Sequence, residues 1–406
     1  MTSQASFANQ YADYSSSGTN IFLNSAKDGL SEMFQAKLQN FGTVKLNDLI
    51  TKMKNDIFHD STVYTGSAGL ALYYFICSLG KTNCHEILKC ALPYVNINSL
   101  KGRRISFLCG DAGPLALATV ISNKLDINRP DCLPDYKSLA QRLISLSVLI
   151  NESPDEILYG RAGYLYALLF VNKHINGEYV IPANHIEMVI NAIMKSGKKF
   201  ATQMKSESPL LWQWHDKIYF GAAHGMAGIL YMLLQARAYI PTSEMRSFIK
   251  PTLDWLLAKQ FKSGNFPSSL GSSSGDRLVQ WCHGAPGFVP LCILASQAFE
   301  DDKYLKVALQ CGEVIWKRGL CSKGYSLCHG VSGNAYTFIQ LYQATKDAVH
   351  LHRACCFMDW CIVERTGTEL HRPDRPASLF EGLLGRLYLA EQLHNVSDAK
   401  FPALSV

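Results

Sequence analysis

Two six-residue segments of the chain carry a cysteine, a histidine and two glycines in the same order. Residues 282–287 read CHGAPG, and residues 328–333, 46 positions further on, read CHGVSG. Two thiolates and one imidazole form a typical zinc site, and three protein ligands leave a fourth position open, as in catalytic zinc centres. The pattern therefore predicts that Cys282 and Cys328 bind one zinc ion together with a histidine from these motifs.

The two motifs do not distinguish His283 from His329 as the third ligand, because both precede a glycine at the same offset. Burial in the core is the alternative explanation for any cysteine, since cysteine is among the most buried residue types. A repeated Cys-His pair is harder to explain by packing alone. Ten further cysteines are predicted to be ordinary core residues: Cys77, Cys84, Cys90, Cys132, Cys292, Cys311, Cys321, Cys355, Cys356 and Cys361.

The two motifs belong to a longer series of Gly-x-x-Gly pairs. The seven pairs are Gly66/Gly69, Gly110/Gly113, Gly160/Gly163, Gly225/Gly228, Gly284/Gly287, Gly330/Gly333 and Gly382/Gly385. Each pair opens an apolar run of helical length, and successive pairs are 44 to 65 residues apart, which leaves room for two helices and their connections. Helices that are apolar all round must be buried on every side. The series predicts an all-α fold, a closed (α/α)7 toroid of seven inner and seven outer helices.

Amphipathic segments between the repeats are the predicted outer helices. Apolar residues at helical spacing over 186–194 predict one such helix, with Gly197 as its stop. Another is predicted over 304–316, ending near Gly319. The glycine pairs themselves are expected to allow tight turns and a close approach of helices that a β-carbon would block.

The repeats favour one large domain despite the length of 406 residues. We expect residues 1–20 to form a mobile N-terminal arm and residues 21–406 a single α/α toroid domain. The serine-rich stretch 268–274 is interpreted as a flexible loop that acts as a lid.

Composition excludes several other classes of protein. The net charge is +6, and lysine and arginine do not form a stripe with interleaved aromatic residues, so nucleic-acid binding is not indicated. No apolar stretch reaches the roughly 20 residues of a membrane span, so membrane contact is peripheral at most. Thirteen irregularly spaced cysteines behind a polar start indicate reduced thiols in the cytoplasm.

The position before the first glycine of each repeat carries a polar or reactive residue. In chain order these are Thr65, Cys109, Tyr159, His224, His283, His329 and Glu381. The N-termini of the inner helices should bring them to one end of the ring. His224 is predicted to transfer a proton near pH 7. Cys109, Asp111 and Glu381 suit a structural role at a helix start equally well.

Cations near the second Cys-His motif indicate a site for a carboxylate. Lys323 lies just upstream of Cys328, and the proline-containing stretch 371–376 reads HRPDRP. Such residues are able to bind a carboxylate through charge-assisted hydrogen bonds, although they are equally typical of a solvated surface loop.

These motifs together resemble one family of proteins. The matching segments are FANQYADY at 7–14, AAHGMAG at 222–228, WCHGAPG at 281–287, LCHGVSGNAY at 327–336 and SLFEGLLG at 378–385. They resemble the eukaryotic lanthionine synthetase C-like proteins, which are related to bacterial lantibiotic cyclases. The resemblance covers essentially the whole chain and implies a seven-fold α/α toroid with one zinc ion.

The resemblance also implies roles for individual residues. Zinc ligands would be Cys282, Cys328 and His329, and His224 would be the active-site acid–base. Eukaryotic members resemble glutathione-binding proteins that join glutathione to dehydroamino acids in peptides or proteins. By that resemblance the tripeptide would be contacted by Lys323, His371, Arg372, Pro373 and Asp374.

Two positions depart from the family pattern. Where relatives are expected to have Arg-x-Pro-Asp, this chain has His371 followed by Arg372, so the cation is displaced by one position. Bacterial cyclases often carry tyrosine after the first zinc cysteine, where His283 stands here.

The resulting hypothesis is zinc-activated addition of the glutathione thiol to dehydroalanine or dehydrobutyrine, with protonation of the enolate by His224. The alternative is a non-catalytic adaptor that binds glutathione and zinc in redox signalling. A prenyltransferase-like toroid is less well supported, because it would be expected to use an aspartate ligand and a basic cluster for diphosphate.

Overall fold

The structure is a computed structural model of the chain. It describes residues 6–18, 20–56, 60–126, 133–175, 180–365, 370 and 372–406, with the side chains of 52–56 left aside. Within these residues the chain forms α-helices and shorter helical turns, and its β-structure is limited to isolated bridges. The helices are α1 (Glu32–Asp56), α2 (Ala68–Ser78), α3 (Cys84–Ala91), α4 (Ala112–Lys124), α5 (Tyr136–Ser145), α6 (Arg161–His174), α7 (Ala183–Gln203), α8 (Met226–Gln235), α9 (Thr242–Glu244), α10 (Lys250–Leu257), α11 (Ala285–Phe299), α12 (Asp302–Arg318), α13 (Val331–Thr345), α14 (Ala348–Ile362) and α15 (Leu383–His394). A π-helical turn over Met245–Ile249 joins α9 to α10.

Seven of these helices begin one or two residues after the first glycine of a Gly-x-x-Gly pair. They are α2, α4, α6, α8, α11, α13 and α15, here called the repeat helices. In α8 every residue from Met226 to Leu234 is buried, and in α4 every residue from Ala112 to Ser122. This burial on all sides agrees with the absence of a polar face in their sequences.

The helices between them are amphipathic. In α7 the buried face is formed by Ile186, Val189, Ile190, Ile193 and Met194, as the spacing predicts. The helix α12 ends at Arg318, next to Gly319, which also agrees with the prediction.

The predicted stop at Gly197 is wrong, because α7 continues to Gln203. A β-carbon at Gly197 would lie 2.7 Å from Cε2 of Trp212. The indole of Trp212 packs across the helix there, and its Nε1 donates a hydrogen bond of 3.0 Å to the carbonyl of Ile193. Gly197 therefore leaves space for the indole ring. A glycine in a sequence does not by itself indicate whether it ends a helix or leaves space for a neighbouring side chain.

The chain divides into two compact units. Unit 1 comprises Met1–Asn55, Phe220–Ala222 and Lys259–Phe401, and unit 2 comprises Asp56–Tyr219, Ala223–Ala258 and Pro402–Val406. In unit 1, α11 packs against α12 and α13, and α13 packs against α14 and α15. In unit 2, α2 packs against α3 and α4, α4 against α5 and α6, and α6 against α7 and α8. The single domain over 21–406 stays a prediction.

A loop that folds back onto its own helix precedes each repeat helix. In the third repeat the amide of Arg161 donates a 2.8 Å hydrogen bond to the carbonyl of Pro154, seven residues earlier. A β-carbon at Gly160 would collide with that carbonyl, and one at Gly163 would collide with the carbonyl of Ile157. The glycines are thus required chiefly because the loop lies against the first turn of its own helix.

The described residues of the N-terminal arm make specific contacts within unit 1. The amide of Phe7 donates a 2.7 Å hydrogen bond to the carbonyl of Leu320, and the hydroxyl of Tyr11 donates one of 2.9 Å to Asp359. Asp13 pairs with the buried Arg353 at 2.6 Å. Composition does not reveal these partners, and the mobility of residues 1–20 stays a prediction.

We expect replacement of a repeat glycine to destabilise the protein, and Gly163→Ala tests this. Its β-carbon would overlap the carbonyl of Ile157 and come within 2.8 Å of the Cβ of Ser106. Overpacking of this kind costs about 1–3 kcal/mol, so the urea midpoint of unfolding should fall.

The matched control is Gly42→Ala in α1, where an added β-carbon meets no atom within 4 Å. Alanine is the better helix former by about 1 kcal/mol, so this variant should be as stable as the original or more so. Equal unfolding midpoints for Gly163→Ala and the unmodified protein would contradict the proposed role of the repeat glycines.

Candidate functional site

A backbone hydrogen bond joins the two Cys-His motifs in unit 1. The amide of Cys282 donates to the carbonyl of Cys328 at 3.1 Å, and the amide of Cys328 donates to the carbonyl of Phe380 at 3.0 Å. These three residues occupy the same position, two residues before the first glycine of their repeats. Successive loops are therefore aligned in register, and this alignment brings two cysteines together that are 46 residues apart in sequence.

Three possible metal donors converge at this point. The ligand atoms of Cys282, Cys328 and His329 all lie within 4.8 Å of one another. Both cysteines are buried and His329 is half-buried. Two sulfurs and one imidazole nitrogen at this separation fit a tetrahedral ion that keeps one position for another ligand. Of the two histidines that the motifs left open, it is His329 that belongs to this group.

The polar surroundings favour a thiolate at Cys282. The pKa of this thiol lies below its usual value, chiefly because the Cys328 thiol donates a hydrogen bond to it. The Nε2 of Gln280 donates another at 3.1 Å, and the positive charge of Lys323 acts in the same direction, while burial opposes them. Burial raises the pKa of the neighbouring Cys321 to about 12. The surroundings therefore lower the pKa of the Cys282 thiol and raise that of the Cys321 thiol.

A second constellation lies in unit 2 around His224. Its Nδ1 contacts Oε2 of Glu156 at 2.9 Å. The Glu156 side chain is only 2% exposed, and its carboxylate also accepts hydrogen bonds from the amides of Leu158, at 2.8 Å, and Tyr159, at 2.6 Å. A carboxylate held in this way accepts the Nδ1 proton and leaves Nε2 as the ring nitrogen for proton exchange.

Aromatic rings surround the imidazole of His224. The ring of Tyr159 stacks on it at a centroid distance of 6.0 Å and an angle of 12°, and the ring of Trp214 at 5.9 Å and 14°. Tyr159 and Trp214 also stack on each other at 5.7 Å. The three rings thus form one cluster with nearly parallel planes, and 23% of the His224 side chain stays exposed.

Glu156 and Gln280 are not among the residues predicted from the sequence, although both occupy a recurring position. Each stands four residues before the first glycine of its repeat, where six of the seven repeats carry a polar residue: Thr62, Ser106, Glu156, Gln280, Ser326 and Ser378. Several of these side chains accept a hydrogen bond from the amide three residues later. Ser326 accepts one from His329 at 3.2 Å, and Ser106 accepts one from Cys109 at 3.3 Å. The polar residue that recurs four positions before the first glycine was thus the sequence feature that could have predicted Glu156 and Gln280.

The residues predicted to contact the tripeptide differ in their exposure to solvent. Lys323, Arg372 and Asp374 are exposed and Pro373 is half-buried, while His371 lies outside the described residues. Lys323 is the residue of this set whose charge acts on Cys282. The hydroxyls of the stretch 268–274 hydrogen-bond to each other, for example Ser272 to Ser274 at 2.7 Å, and its role as a lid stays a prediction.

Three further residues at the starts of repeat helices are candidate reactive positions: Cys109, Asp111 and Glu381. Burial raises the pKa of the Cys109 thiol well above its usual value. Asp111 accepts a 2.5 Å hydrogen bond from the amide of Gly102, and the amide of Glu381 donates to Ser378 at 3.3 Å. The Asp111 side chain thus bonds to the preceding loop and makes no capping hydrogen bond to α4, so the roles of these three positions stay predictions.

The prediction of core cysteines is correct for the larger part of the set. Six are buried, namely Cys292, Cys311, Cys321, Cys355, Cys356 and Cys361. Cys77 and Cys84 are half-buried, Cys90 is exposed on α3, and Cys132 lies outside the described residues. The prediction is therefore wrong for Cys90, because α3 is amphipathic and this residue lies on its polar side.

Among the described residues, no helix is both long enough and apolar enough to span a bilayer.

Comparison with known proteins places the chain in a family. A family model described as lanthionine synthetase C-like protein matches residues 57–406. Glutathione S-transferase LANCL1 of Danio rerio is 40% identical over 423 aligned residues, covering 100% of both chains. LanC-like protein GCL1 of Arabidopsis thaliana is 34% identical over 366 residues, covering 86% of this chain and 82% of its own.

A solved structure supports the fold. Nisin cyclase matches 88% of this chain and 94% of its own with a TM-score of 0.66, at 18% sequence identity. This likeness concerns the fold, an all-α (α/α)7 toroid, and it confirms the predicted fold class. Together with the family model and the two relatives, it shows that the chain belongs to the eukaryotic lanthionine synthetase C-like proteins, the family that the glycine motifs indicate.

Proposed function

We propose that this protein is a zinc-dependent, glutathione-binding enzyme of the cytoplasm. It adds the thiol of glutathione to dehydroalanine and dehydrobutyrine residues in peptides or proteins and so forms a carbon–sulfur bond. The observation that carries this proposal is the convergence of Cys282, Cys328 and His329 within 4.8 Å. The name of the relative from Danio rerio, a glutathione S-transferase, supports glutathione as the thiol.

Three residues of this chain would hold one zinc ion: Cys282, Cys328 and His329. A bound zinc ion lowers the pKa of a thiol at its open position, so that glutathione is present as the nucleophilic thiolate at neutral pH. Gln280 donates to the sulfur of Cys282 and would tune the electron density of that ligand. The burial of both cysteines keeps competing water away from the ligand sulfurs.

Glutathione carries two carboxylates and one ammonium group, and the exposed loop residues offer matching charges. Lys323 and Arg372 would bind carboxylates, and Asp374 would bind the ammonium group. Pro373 restricts the backbone between the two charged residues. His371, which lies outside the described residues, completes the proposed set.

The reaction requires a proton donor as well as a nucleophile. Attack of the sulfur on the β-carbon forms the C–S bond and moves the π electrons of the alkene to the α-carbon as an enolate. His224 is the proposed donor of the proton that this carbon then takes up. Glu156 would stabilise the charged imidazole through Nδ1, as the carboxylate does in hydrolytic triads.

We expect Cys328→Ala to lose both the metal and the activity, because two ligands bind zinc much more weakly than three. Zinc content, measured by elemental analysis, should fall from about one ion per chain to nearly none. Formation of the glutathione adduct on a dehydrobutyrine peptide, measured by mass spectrometry, should cease. The exposed Cys90 provides the matched control, and Cys90→Ala should leave both readouts unchanged.

Two results would contradict this assignment. A Cys328→Ala protein that keeps its zinc would exclude this residue as a ligand, and one that lacks zinc but retains full activity would exclude zinc catalysis. An unmodified protein that binds zinc and glutathione but never adds glutathione to the peptide would instead be the non-catalytic adaptor.

A second pair of substitutions tests the proton donor. General acid–base groups contribute about 10²–10⁴-fold to rate, so His224→Ala should lower kcat by that factor while zinc content stays at the original level. Glu156→Gln should lower kcat less, because the amide retains an oxygen for one backbone N–H but no longer stabilises a charged imidazole.

The control for these variants is His85→Ala, which removes an exposed histidine of α3. Its kcat should match that of the original protein. A His224→Ala protein with unchanged kcat would eliminate His224 as the acid, whatever its effect on KM.

A further inference from the structure

A short loop in unit 2 displays three cations that the proposed chemistry does not use. Residues 101–104, here called the cationic loop, read KGRR, and all four are exposed. Among the described residues, no ion pair involves Lys101, Arg103 or Arg104. The three charged side chains of the cationic loop are therefore exposed and take part in no ion pair of the described residues.

The cationic loop is held in place by its backbone. Gly102 has a φ of +62°, a conformation that glycine adopts at low cost. Its amide donates a 2.5 Å hydrogen bond to Oδ2 of Asp111, at the start of α4. The side chain of Asp111 is thereby engaged with the backbone and holds the turn at Gly102 against the start of α4.

Arg104 connects the cationic loop to the rings around His224. Its guanidinium lies 4.9 Å from the centre of the Tyr159 ring. Tyr159 stacks in turn on His224, at 6.0 Å, and on Trp214, at 5.7 Å. All three ring residues are half-buried, so part of each ring is open to a ligand. Through Arg104 the cationic loop thus adjoins an aromatic surface that contains the proposed proton donor.

We propose that the cationic loop binds an acidic segment of the peptide substrate, close in sequence to its dehydroamino acid. This inference rests on the proposed function, because it takes His224 as the place where the reacting residue is presented. An extended peptide advances about 3.3 Å per residue. A peptide whose dehydroamino acid reaches His224 therefore brings a residue two or three positions away to Arg104.

Charge complementarity is the physical basis of this specificity. A glutamate or aspartate at that position would gain a pairing with Arg104, and the neighbouring Lys101 and Arg103 would raise the local positive potential. A lysine or arginine there would be repelled. The stacked rings of Tyr159 and Trp214 offer contact area to any peptide backbone. The cations therefore determine which peptide sequences bind, and the rings add affinity that does not depend on sequence.

The test measures binding without catalysis, so that its outcome does not depend on zinc or thiol addition. Fluorescein-labelled decapeptides carry alanine in place of the dehydroamino acid, with two glutamates or two glutamines on each side. Fluorescence anisotropy then gives Kd for the full-length protein at several salt concentrations. We expect the glutamate peptide to bind about tenfold more tightly at low salt, with the difference shrinking as salt rises.

The variant Arg104→Ala should weaken binding of the glutamate peptide about fivefold and leave the glutamine peptide unchanged. Arg104→Glu should reverse the preference between the two peptides. Arg246→Ala, at an exposed arginine of the π-helical turn, changes the net charge by the same amount and should have no effect.

Equal Kd values for the two peptides, or equal losses in Arg104→Ala and Arg246→Ala, would overturn the proposal. A single-stranded oligonucleotide that binds more tightly than the glutamate peptide, and loses this binding in Arg104→Ala, would overturn it in favour of a nucleic-acid surface. Because no adduct is formed in the assay, failure of glutathione transfer would appear separately in the mass measurement described above.

Discussion

The candidate metal centre depends on one backbone hydrogen bond, from the amide of Cys282 to the carbonyl of Cys328. It aligns equivalent positions of two consecutive repeats, and the side chains at those positions then point to the same place. A similar bond runs from Tyr64 to Leu108 in unit 2, at 3.0 Å. Equivalent positions therefore lie side by side in these two pairs of repeats, Cys282 with Cys328 and Tyr64 with Leu108.

This alignment is possible only because the loop lies so close to its helix. The carbonyl of Leu327 occupies the space that a β-carbon at Gly333 would need, and the carbonyl of Gly324 lies 2.6 Å from the place of a β-carbon at Gly330. The same relation recurs at Gly160 and Gly163 in unit 2. Any larger residue would push the loop outward, and the chain of backbone hydrogen bonds between loops would lose its register.

Burial and hydrogen bonding give the cysteines of one chain different chemical characters. A core thiol such as Cys355 is buried, which disfavours its charged form and raises its pKa, and the nearby Cys356 and Asp359 act in the same direction. At Cys282 the surroundings include donors, the thiol of Cys328 and the amide of Gln280, and these outweigh burial. The difference arises from groups that lie near each sulfur in space, and the main partner of Cys282, the thiol of Cys328, is 46 positions away in sequence.

The sequence by itself determined the helical architecture, because seven glycine pairs followed by apolar runs have no other economical explanation. It also determined which residue types recur before each repeat helix. The motifs by themselves left His283 and His329 equivalent, and the tertiary structure places His329 with the cysteines, as the family resemblance implies. Only the tertiary structure decided that α7 passes through Gly197 beneath Trp212 and that Glu156 orients His224. These outcomes depend on side-chain directions and on neighbours 15 to 68 positions apart, and a pattern read along the chain contains neither.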